Sequence, residues 1–69
     1  MTTIEKQDAN RIRMDAAIAE DMMQRIRKET EKPFVGAYYI LEKAKEAKDC
    51  VDFIIATACE YIEEQEGTK

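Results

Sequence analysis

Three features of the sequence predict an all-α fold, an antiparallel hairpin of two long helices. Glycine and proline are nearly absent, with Gly36, Gly67 and Pro33 their only instances in 69 residues. Apolar residues recur at helical spacing on both sides of Pro33. Period-2 alternation, the mark of a half-buried strand, never persists beyond a few positions. One domain, 1–69, is the most this length allows, near the size where a single core barely suffices.

The first helix is expected over about residues 3–31. Ala9, Ile12, Ala16, Ala19, Met23 and Ile26 alternate three- and four-residue steps, which puts them on one helical face. Thr2 and Glu5 offer a capping box at its start. Pro33 disfavours helical geometry at Lys32 and removes a backbone donor, so a tight turn is expected at about 31–33. Proline is tolerated in the first turn of a helix, so the second helix should run from about 33 to about 66. Its stripe comprises Ala37, Ile40, Ala44, Ala47, Val51, Ile54, Ala58 and Tyr61, flanked by Leu41, Ile55 and Ile62. Gly67 supplies the stop. With the turn near Lys32, facing residues should have numbers that sum to about 63–67.

The net charge of −4 is unevenly placed: residues 1–32 are balanced at seven basic and seven acidic groups, and residues 33–69 hold four and eight. An acidic second half disfavours nucleic acid, whose phosphates are neutralised by Lys and Arg, and attracts a basic protein partner. The N-terminus has no apolar central region of a signal peptide. The apolar run at 53–59 falls short of the roughly 20 residues a membrane span needs. A cytoplasmic protein without membrane contact is expected. Cys50 and Cys59, on one helix, would stand about 13 Å apart along its axis, too far for a disulfide.

Catalytic signatures are missing. There is no histidine, serine or tryptophan, which removes the commonest general base and metal ligand. Neither a glycine-rich phosphate loop nor a nucleophile elbow is present. No enzyme, cofactor or metal is therefore expected, and the acidic run at 60–66 reads as a solvated helix end.

Some residues fall outside the stripes. Phe34, Val35, Tyr38, Tyr39 and Phe53 lie at or beyond the edge of the second stripe, and a two-helix hairpin cannot cover them. Pairing of two hairpins into a homodimeric four-helix bundle through these residues is expected, with docking of a different protein partner on them as the alternative. Glu42, Glu46 and Asp49 form an acidic face open to a basic protein. Tyr38, Tyr39 and Lys43 could hold an anionic ligand at a subunit junction. Asp15 breaks the first apolar face, with Asp8 in the equivalent place two turns earlier. A structural ion pair of Asp15 with Lys48, and one of Arg11 with Asp52, satisfy the pairing rule. On that pairing, Asp15→Ala with Lys48 retained would cost about 1–3 kcal/mol.

Three functions compete on these grounds. The leading one is a small non-enzymatic protein-binding module, a regulator or inhibitor of a host protein. Short acidic hairpins of this type are common among phage and mobile-element accessory proteins, an analogy at the level of fold alone. The alternatives are a protein that sequesters a small ligand or nucleotide signal, and a purely structural oligomerisation element.

Overall fold

A computed structural model describes residues 3–67. Helix α1 spans Lys6–Thr30 and helix α2 spans Ala37–Glu66, antiparallel and in contact along their length. No strand occurs among the described residues. The hairpin measures 52 × 24 × 15 Å, with a radius of gyration of 15.8 Å. A compact chain of this length would have about 11 Å.

Both helix starts lie later than the sequence predicts. Glu5 is the N-cap of α1 and makes no side-chain cap bond. Thr2, the other half of the expected capping box, lies outside the described residues. Thr3 instead donates its N–H to Gln65 Oε1 at 3.0 Å and accepts from Gln65 Nε2, which holds residues 3–5 against the end of α2 rather than in helix. Asp8 in the first turn and Arg27 and Lys28 in the last suit the helix dipole.

Pro33 does not open α2. It sits inside a six-residue reversal, 31–36, and α2 begins four residues later than expected. Gly36 is the N-cap, extended at φ −82°, ψ 109°. Its N–H reaches back to Glu29 Oε2 at 2.9 Å, so a side chain from the last turn of α1 satisfies the first donor of α2. The longer reversal moves its centre toward residue 34 and shifts the pairing: Glu29 meets Gly36, but Asp8 meets Tyr61, just beyond the predicted range. Gly67 ends α2 as predicted, in the left-handed region at φ 59°, ψ 49°.

The surface by which the helices touch differs from the apolar stripes. On α1 the buried residues are Asp15, Met22 and Glu29, a seven-residue repeat that Asp8 extends backward. Ile12, Ala19 and Ile26 are half-buried beside it. On α2 the tightest point is Ala47, 1% exposed, flanked by Ile40, Lys43, Cys50, Ile54 and Tyr61. Met22 and Ala47 are the only buried hydrophobic residues described. At about 100° per residue, the stripe on each helix is rotated by roughly 50° from its contact seam. In an antiparallel pair both rotations turn toward the same side of the hairpin.

Candidate interaction surfaces

The two displaced stripes together make one apolar side. Ala16, Ala19 and Met23 of α1 stand opposite Val51 and Ile54 of α2 across an open groove of about 530 Å³. Leu41, Ile55 and Ile62 extend it along α2, all exposed. The alanines of α1 leave it shallow, with room for another helix rather than for an enclosed molecule.

The opposite side is aromatic and charged. The Arg11 guanidinium lies over the Phe53 ring, 4.4 Å from its centroid, a cation–π contact. Lys43 lies 5.5 Å from the centroid of Tyr39 and pairs with Glu46 at 3.6 Å. Arg25 pairs with Asp21 at 2.9 Å, and bonds to Asp21 and Tyr39 push its pKa upward. Phe34 and Tyr38, 91% and 89% exposed, project at the turn with Val35. Phe53 and Tyr39 thus have partners within the hairpin, while Phe34, Val35 and Tyr38 gather at its tip.

The residues expected to hold a small ligand are only partly together. Tyr38 and Tyr39 line a surface hollow of about 530 Å³ with Leu41, Glu42 and Lys45. Lys43 does not line it. Along the outer ridge of α2, Glu42, Glu46 and Asp49 are exposed, and only Glu46 has an ion pair among the described residues.

The cross-hairpin ion pairs are corrected by the geometry. Lys48 pairs with Asp52 on its own helix at 2.8 Å, which raises its pKa. Among the described residues Asp15 forms an ion pair with Arg11 alone, at 3.7 Å and one turn back, and its Oδ2 accepts no hydrogen bond. Lys48 lies toward the apolar side of α2, away from the seam that buries Asp15. The premise for a costly Asp15→Ala change is therefore gone.

Sequence reading missed the third member of the acidic repeat, Glu29; the seven-residue spacing of 8, 15, 22 and 29 was the available signal. Each carboxylate meets a different neighbour. Tyr61 donates its hydroxyl to Asp8, and this bond first, then burial, pushes the phenol up to about 12. Glu29 is held below the usual carboxylate range, first by the Gly36 N–H and next by Lys32 at 3.0 Å. Asp15 acts across the seam on Cys50, whose thiol is pushed up by burial first and then by Asp15.

Cys50 and Cys59 are both free thiols. No three metal-ligating side chains converge among the described residues, and none of the described helices is long and apolar enough to cross a membrane. No family model, curated protein or solved structure matches the chain.

Proposed function

We propose that this protein is a non-enzymatic protein-binding module that works as a homodimer, two hairpins closing their apolar sides into a four-helix bundle. Surface area carries the reading. The hairpin exposes 5733 Å², whereas a compact monomer of its mass exposes about 4,450 Å². The surplus, roughly 1,300 Å², exceeds the ~800 Å² that each partner loses in a standard-size interface. Five of the exposed large hydrophobic residues, Met23, Leu41, Val51, Ile55 and Ile62, lie on the side to be covered. This is the side opposite Tyr39 and Phe53, so the interface differs from the off-stripe aromatics that sequence reasoning favours.

In such a bundle the outer ridge of α2 stays in water. Glu42, Glu46 and Asp49 then offer an acidic stripe to a basic protein surface, the arrangement of a small regulator or inhibitor. Ligand sequestration has weaker support, because Lys43 is turned onto Tyr39 and Glu46 rather than into the hollow. Sedimentation equilibrium at micromolar concentration tests the dimer. Twice the 8.0 kDa chain mass is expected, falling to one chain mass when Met23→Glu is combined with Val51→Glu. A wild-type protein that sediments as a single chain would overturn the reading.

A further inference from the structure

Charge is sorted along the 52 Å length of the hairpin. The turn end, residues 21–46, holds six basic side chains (Arg25, Arg27, Lys28, Lys32, Lys43 and Lys45) against Asp21, Glu29, Glu31, Glu42 and Glu46, a net +1. The open end, residues 3–10 and 55–67, holds six acidic side chains (Glu5, Asp8, Glu60, Glu63, Glu64 and Glu66) against Lys6, a net −5. Two hairpins that close their apolar sides can do so with turns at the same end or at opposite ends. Both arrangements bury the same stripes and keep neighbouring helices antiparallel, so apolar area does not choose between them. Electrostatics does. Turns together would set the two −5 open ends beside each other, across packed helices separated by ~8–10 Å, about one Debye length at physiological salt, where screening is incomplete.

We propose that the second copy packs head to tail, with the basic turn of one hairpin over the acidic open end of the other. This rests on the dimer reading above and adds the polarity that reading leaves open. Small residues support it: head-to-tail packing brings the middle of α1 against its own copy, and Ala16 and Ala19 line the groove there. It also leaves the two aromatic turns, with Phe34 and Tyr38, at opposite ends of one rod, so that the dimer presents two separate tips.

Interprotomer distances test the polarity. Cys50→Ala and Cys59→Ala remove the native thiols, and Glu31→Cys places one spin label at the exposed end of α1. Glu31 lies about 13 residues beyond the middle of α1, or about 20 Å at 1.5 Å per residue. Head-to-tail packing therefore predicts labels roughly 40 Å apart, and turns together predicts under about 25 Å, little more than the diagonal of a bundle plus label arms. As a second measurement, protomers labelled through Glu31→Cys are mixed with protomers labelled through Glu63→Cys, for which the short distance belongs to the head-to-tail dimer. A short distance for the first pair and a long one for the second would overturn the polarity while leaving the dimer intact. Sedimentation of both labelled proteins as single chains, with native helix content and matched by the unlabelled protein, would overturn the dimer itself.

Discussion

Asp15→Leu should stabilise this protein. Asp15 is 9% exposed, in the middle of the seam that α1 presents to α2, and its Oδ2 accepts no hydrogen bond. A buried acceptor left unmade costs about 1–3 kcal/mol. Leucine has the same branched outline and the same count of side-chain heavy atoms, so the change removes that demand without opening a cavity, and its bulkier methyl groups add apolar contact at the seam. The loss on the other side is small. Arg11 is 3.7 Å away with its side chain 61% exposed, and a helical ion pair of that kind is worth about 0.3–0.5 kcal/mol. Arg11 also keeps its place over Phe53.

The balance is a gain of about 1–2 kcal/mol. Urea unfolding at one fixed protomer concentration reads it, since stability of a dimer depends on concentration. With a slope near 1–2 kcal/mol per molar, the midpoint should rise by about 1 M at constant slope. Asp15→Asn keeps a polar group with the same unmet demand and should leave the midpoint nearly unchanged. A midpoint that falls for Asp15→Leu, with helix content preserved, would sink the reasoning and mark the carboxylate as a group with a partner of its own.

Four further outcomes follow from the geometry. Asp8→Asn should bring the phenolate absorbance step of Tyr61 down from about 12; no movement would show that the Asp8 bond is not its cause. Because the folded value is raised, Tyr61 contributes stability that is complete below its ordinary pKa of 10.0 and lost as pH rises toward about 12. Glu29 has the opposite sign: its lowered pKa contributes stability above 4.5, lost as pH falls below it, so Glu29→Gln should be the weaker protein at neutral pH and converge with wild type in acid. Gly67→Ala places a side chain at φ 59° and should cost about 1 kcal/mol, seen as faster amide exchange in the last turn of α2. Thiol labelling should reach Cys59 before Cys50, which is half-buried and has its thiol pushed up by burial and nearby carboxylates.

The hairpin was legible because its determinants are local. Three- and four-residue spacing marks the helices, and Pro33 and Gly67 mark breaks that no distant contact can override. The exact starts were not legible, since they depend on contacts remote in sequence: Gln65 holding Thr3, and Glu29 taking the N–H of Gly36. The pairing rule came close to the observed register, yet it assigned Asp15 to Lys48. Residue number fixes position along an axis and says nothing of rotation about it, and Lys48 points away from the seam. The same blindness to rotation hides the contacts of two aromatics: Phe53 and Tyr39 look surplus from α2 alone, but they meet Arg11, Arg25 and Lys43.

That rotation also explains why the stripes and the seam disagree. An apolar stripe records every surface a helix buries, whichever neighbour buries it. A helix with one partner should centre its stripe on that partner. In a square bundle each helix has two neighbours at right angles, so the stripe bisects them, about 45° from either. The displacement here is roughly 50° on both helices and toward one side. Ala16 and Ala17 turn this into a sharp test, because both are exposed in the single hairpin. Ala16 lines the groove with Met23 and Val51, whereas Ala17 is one residue on, about 100° further round. If the hairpin stood alone, glutamate at either position would be harmless. In a bundle, Ala16→Glu drives a charge into the covered face and should dissociate the dimer, while Ala17→Glu should leave its sedimentation unchanged. Equal behaviour of the two variants would mean that nothing covers the apolar side.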